Sequence, residues 1–170
     1  MNAVLKLIDG LCDAAAAVAG VLLLALFALG MAELISRDVF GVSLTFSIEY
    51  SGYFLATTLF LASGWTMRRG GHIRVNLIGS RLPPGAARTL DVLCTVGGLL
   101  ACGFMAWSLV DFALGTLARG TLTYFPSATP IGYPQLLIAV GPCILWLALL
   151  ARLIRLLTGQ SPDLGAAKAE

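Results

Sequence analysis

The chain has 170 residues, of which 58% are hydrophobic and only 12% charged, and its mean hydropathy is +0.90. A soluble domain carries about a quarter charged residues, and a disordered chain pairs low hydrophobicity with high charge, so neither class fits. The net charge of +2, the pI near 8.4, the lone histidine and the dispersed arginines argue against nucleic acid as a partner.

The expectation is one all-α membrane domain over residues 1–170, with four transmembrane helices. Residues 2–13 come first and read as an amphipathic, interfacial lead-in. At 100° per residue Val4, Leu5, Leu7, Ile8, Leu11 and Cys12 fall on one face, with Lys6, Asp9 and Asp13 opposite. The weak basic charge at Lys6 and the acids at Asp9 and Asp13 argue against a cleaved signal peptide. Uncharged stretches follow at 14–32, 50–67, 92–110 and, after the breaks at Pro126 and Pro130, 132–151. Each approaches the ~20 apolar residues that cross a bilayer as a helix.

Smaller signals refine these spans. Ala15/Ala19, Ala16/Gly20, Gly52/Ala56, Gly97/Ala101 and Gly98/Cys102 are small residues four apart, suited to close packing within this bundle or against another subunit. Pro134 fits the first turn of the last helix, Pro142 is expected to kink it, and Gly159 suits its end. Arg152 and Arg155 are expected to reach lipid headgroups. The basic loop from Arg68 to Arg88 is expected to hold a short interfacial segment bound to membrane lipid, and residues 160–170 to form a flexible tail.

Basic residues set the expected orientation. Lys6, Arg68, Arg69, Arg74, Arg81, Arg88, Arg152, Arg155 and Lys168 lie on one side of a four-span chain, with only Arg37 and Arg119 on the other. By the positive-inside rule both termini face the cytoplasm of a multi-pass inner-membrane protein.

Several chemistries lack their residues. A membrane disulfide-exchange enzyme needs cysteine pairs near the outer side, whereas Cys12 lies near the inner side and Cys94, Cys102 and Cys143 lie within spans. One histidine, His72, does not supply two axial haem ligands. No metal-ligand cluster stands out. Glu33, Glu49, Asp91 and Asp111 bound the spans instead of interrupting them, which suits a scaffold better than a proton-coupled carrier. The expectation is no enzyme and no cofactor.

The stretch Ile35–Leu82 carries the most specific motif. It reads I-S-R-D-V-F-G-V-S-L-T-F-S-I-E-Y, a span, then W-T-M-R-R-G-G-H-I-R-V-N-L. It resembles the small membrane subunit of tripartite ATP-independent periplasmic (TRAP) transporters, the DctQ-like family. Arg37, Phe40, Ser43, Leu44 and Glu49 match its first segment, and Arg68, Arg69, Gly70, Gly71, His72, Ile73 and Val75 its second. Ile131-Gly132-Tyr133-Pro134, followed by Gly141-Pro142, adds a further match. Thr45, Phe46, Ile48 and Asn76 depart from it, standing where Pro, Trp, an acid and Asp are common.

The resemblance implies a scaffold for a large TRAP membrane subunit in sodium-coupled uptake of an organic acid. A periplasmic substrate-binding protein would deliver that solute. It makes Arg37, Glu49, Arg68, Arg69, Gly71 and His72 candidates for subunit contact. Their plainer readings are a surface pair of Glu33 with Arg37, a dipole-favoured acid at Glu49, stop-transfer charges at Arg68 and Arg69, and a surface hydrogen bond at His72. The alternative to the family reading is a self-contained four-helix carrier or a membrane assembly factor.

Overall fold

A computed structural model describes residues 2–69 and 83–159. Four helices run through them: α1 Asn2–Phe40, α2 Ser47–Arg68, α3 Pro84–Ala118 and α4 Gly132–Leu157. No strand is formed among the described residues beyond one isolated bridge between Leu122 and Pro130. The expected interfacial segment of the middle loop, with Gly71 and His72, and the expected tail lie outside the described residues.

α1, α3 and α4 are long and apolar enough to cross a membrane. α2 has the length, about 33 Å for 22 residues, but its tyrosines, threonines, serines and glycines dilute its hydropathy. Several of those hydroxyls are absorbed by backbone: Ser63 and Thr66 donate to Phe60 O and Ala62 O, and Thr58 donates to Ala19 O on α1. A helix that packs on protein needs fewer apolar residues than one surrounded by lipid.

The packing is not a symmetric bundle. α4 is the hub, with half of its apolar window buried against 11% in α1 and in α3. α1 packs on α2 and lightly on α4, α2 packs on α4, and α3 packs chiefly on α4. Leu5, Ile8, Cys12, Ala15 and Ala19 of α1 meet Leu61 of α2 and Ile144, Ala148 and Ala151 of α4 in the main core. Met67, Leu145 and Leu149 form a second one.

Of the small residues expected to pack closely, Ala15 and Ala19 lie in the core and Gly98 faces Leu149, but the tightest approaches fall at other glycines. A side chain at Gly141 would fall 2.5 Å from the Phe60 backbone, and one at Gly132 would fall 2.9 Å from Leu117. At Gly20, Gly52 and Gly97 it would meet nothing, so those glycines face outward.

Two sequence expectations need correction. Residues 2–13 do extend the first helix, as an amphipathic lead-in would, but they are seated in the core and with a different face turned inward. The face that turns inward is Leu5, Ile8 and Cys12 with Asp9 beside them, while Val4 and Leu7 point outward. The second correction concerns Arg152 and Arg155, which are buried between helices and do not reach toward headgroups. The cause is the same in both cases: Asp9 and Asp91 pair with arginines of neighbouring helices at that level. α4 also runs unbroken through Pro142, and Gly159 follows it with φ +74, the left-handed geometry of a helix stop.

Candidate functional site

The buried charged groups of the described residues gather in two polar clasps, one at each end of the bundle. At the basic end Asp9 of α1 joins three helices. Arg155 Nη2 donates to Asp9 Oδ1 and Oδ2 at 2.8 and 2.7 Å, and Arg68 Nε lies 2.9 Å from Oδ1. Arg68 Nη1 also donates to Asp9 O at 2.6 Å and to Asp13 Oδ1 at 3.3 Å. A parallel fork closes α3 on α4, with Arg152 Nη2 2.9 Å from each Asp91 oxygen. Arg152 Nε further reaches Thr95 Oγ1 at 3.4 Å, and Arg88 donates to Leu156 O at 2.7 Å.

Arg68, Arg152 and Arg155 are all less than 10% exposed, while Asp9 keeps a partly open edge. Cations this enclosed persist only when paired, since removing one partner strands the other charge. The clasp thus fixes α1, α2 and α4 at one level, and α3 to α4.

At the opposite end Glu49, in the first turn of α2, is 5% exposed. Tyr53 Oη donates to its Oε1 at 2.9 Å, and Ser127 Oγ donates to Oε2. Ser127 belongs to the α3–α4 loop, which holds itself in shape. Thr123 N donates to Thr129 O, Ile131 N to Thr121 O and Ala128 N to Phe125 O. Tyr50 and Thr129 share a further hydroxyl contact of 3.4 Å. Burial opposes ionisation of Glu49, but the hydrogen bonds from Ser127 and Tyr53 outweigh it and hold the carboxyl below its ordinary range. One carboxylate therefore ties the α3–α4 loop to the start of α2.

The α1–α2 turn has its own brace. Gly41, with φ +67, ends α1 in the left-handed region, and Ser43 and Leu44 fold back on Glu33. Ser43 Oγ donates to Glu33 Oε1 at 2.6 Å and Leu44 N to Oε2 at 2.7 Å. Glu33 thus serves mainly the turn, and exposed Arg37 near the end of α1 adds a weaker electrostatic pull on the same carboxylate.

The six sequence candidates separate accordingly. Arg68 and Glu49 are buried in the two clasps and hold this chain together. Arg37 is exposed, and Arg69 lies with its guanidinium 4.8 Å over the Trp65 ring. These four are not brought to one place, and Gly71 and His72 fall outside the described residues. Sequence reading missed Asp9, Asp91, Arg152, Arg155 and Ser127 as structural partners. The usable signal was the spacing of Asp9 from Leu5 and Cys12, four and three residues, which puts the acid beside the inward apolar stripe. Ser127 carried no comparable signal.

Long apolar helices joined by ion pairs at their ends define a helical membrane protein. A family model described as the tripartite ATP-independent periplasmic transporters, DctQ component, matches residues 26–159, and the chain belongs to that family of small transporter subunits. The ectoine TRAP transporter small permease protein TeaB of Halomonas elongata is 29% identical over 110 residues. The match covers 65% of this chain and 54% of that relative, so the chain spans about half of the relative's length.

Proposed function

We propose that this chain is the stationary small subunit of a TRAP-type uptake system. It crosses the bacterial inner membrane four times, with both termini in the cytoplasm, and braces a large membrane subunit that moves the solute. The solute is an organic acid, its uptake is coupled to sodium, and a periplasmic substrate-binding protein hands it over. Ectoine, which the relative's name carries, is the first solute to try.

The observation that carries this reading is where the buried charges lie. Glu49, Arg68, Arg152 and Arg155 all sit near helix ends, and the cores between the clasps are built of alanine, leucine, isoleucine, methionine and cysteine. Such a bundle suits a rigid brace, because pairs at both ends oppose sliding of the helices. The reading of α2 as a fourth span is supported by its length, since Glu49 and Arg68 at its two ends stand about one bilayer core apart. Exposed Arg37 and Arg69, with Gly71 and His72, remain candidates for contact with the large subunit, while Arg68 and Glu49 act by keeping this subunit in shape.

The test is recovery of the large membrane subunit on an affinity-tagged form of this chain after co-expression and detergent extraction. A stable stoichiometric complex is expected. A chain that is well inserted but always recovered alone would favour the self-contained carrier.

A further inference from the structure

α3 offers a surface that the chain itself does not use. Its inward side, with Thr95, Ala106, Ala113 and Thr116, is buried. On the opposite side Leu93, Gly97, Leu100, Phe104, Trp107 and Asp111 repeat at spacings of four and three, and all six are exposed. The four large apolar members are 63% to 71% exposed. A four-three repeat draws one straight stripe along a helix and is the pattern by which a second helix packs alongside. Gly97 adds a notch, since a side chain built there would meet nothing. Small residues on such a stripe let a neighbouring backbone come close.

Asp111 makes the stripe more than a lipid-facing surface. Among the described residues it has no hydrogen bond or ion pair. Gly132, the first residue of α4, packs on Leu117. Asp111 therefore lies six residues, about 9 Å along the helix, to the inner side of the level where α4 begins. Among the described residues, the acids that face a neighbouring helix, Asp9, Asp91 and Glu49, find an arginine or a hydroxyl. An acid pointing out of the bundle there, at the border of the uncharged run 92–110, suits a basic donor on a helix from outside. A second copy packed in parallel through the same stripe would set Asp111 against Asp111.

We infer that the stripe Leu93–Gly97–Leu100–Phe104–Trp107–Asp111 receives a transmembrane helix of the large subunit, one that presents an arginine or lysine to Asp111. The inference rests on the proposed family role and adds which face of the subunit the partner covers. The partner helix crosses α3 at the shallow angle of four-three packing and closes on Gly97.

Site-directed crosslinking in the assembled complex tests this. In a chain whose cysteines are replaced by alanine, Leu100→Cys and Phe104→Cys are expected to crosslink to the large subunit, and Leu24→Cys on α1 is not. Gly97→Leu and Asp111→Lys are expected to lower recovery of the large subunit roughly tenfold or more, while Gly52→Leu leaves it unchanged. Membrane insertion and thermal stability of each lone variant, measured alongside, separate a lost interface from a lost fold. Unchanged recovery with both stripe variants would overturn the inference. So would crosslinks from Leu24→Cys alone, homodimers through Leu100→Cys, or labelling of that cysteine only by a lipid-borne probe. If the unsubstituted chain fails to recover the large subunit, the family role falls and the stripe loses its partner with it. Normal recovery with silent stripe variants defeats the stripe alone.

Discussion

Asp9 and Arg155 stand 146 residues apart in sequence and are joined by two hydrogen bonds of 2.8 and 2.7 Å. The contact ties the first turns of α1 to the last turns of α4, and Arg68 of α2 completes it. A pair of this kind converts charges that merely bracket apolar stretches into a lock on helix register.

Breaking the lock is expected to be expensive. Asp9→Ala leaves Arg68 and Arg155 enclosed without their shared carboxylate and should destabilise the detergent-solubilised chain by about 3–5 kcal/mol. Replacing the whole group, as Asp9→Leu with Arg68→Met and Arg155→Met, should recover most of that loss. Thermal denaturation followed by exposure of Cys12 to a thiol reagent reads both, because Cys12 is fully buried beside the clasp. Equal damage in the single and the triple variant would contradict the pairing.

Glu49 gives a pH dependence with a defined sign. Its carboxyl ionises more readily in the folded chain than its ordinary value of 4.5. The ionised form therefore adds stability above that value, and the gain disappears as pH falls through the lowered folded value. Wild type should exceed Glu49→Gln in stability at neutral pH, and the gap should narrow as pH falls below the ordinary carboxylate value of 4.5. Comparing the two proteins cancels the titration of the other acids. A gap that widens on acidification would show that the folded chain favours the protonated acid.

Backbone approach is testable at one glycine. Gly141→Ala forces a methyl into the Phe60 backbone and should cost about 1–3 kcal/mol. Gly52→Ala meets open space and should be neutral or slightly stabilising. If both behave alike, α2 and α4 do not meet at Gly141.

Topology is the next expectation. Reporters fused at Met1 and Glu170 should read cytoplasm, and reporters placed near Val42 and Ser127 should read periplasm, following the split of basic residues. A periplasmic reading at either terminus would contradict four spans in this orientation.

The helices were legible from the spacing of charges, because a membrane span announces itself by what it lacks. The relation between helices was not. Hydropathy treats Asp9, Arg68, Arg152 and Arg155 as borders of apolar runs. Their partners are set by which faces meet, and that follows from packing at Gly64, Gly132 and Gly141 more than from local sequence. Of the small residues that stood out, Ala15 and Ala19 enter the core while Gly20, Gly52 and Gly97 face away from the bundle. Side-chain size marks where a helix is able to pack closely and leaves open against what. Glu49 was singled out by motif and by its helix-start position, yet its partner Ser127 lies 78 residues away in a loop with no periodic pattern to reveal it.

The most direct test of the scaffold role is solute uptake into proteoliposomes under an imposed inward sodium gradient. The vessel contents are this chain alone, the large membrane subunit alone, and the two together with the binding protein. Uptake is expected only with all three components, and Asp9→Ala should reduce it through loss of assembly, not through altered affinity for the solute. Sodium-driven uptake by vesicles that hold this chain alone would contradict the role.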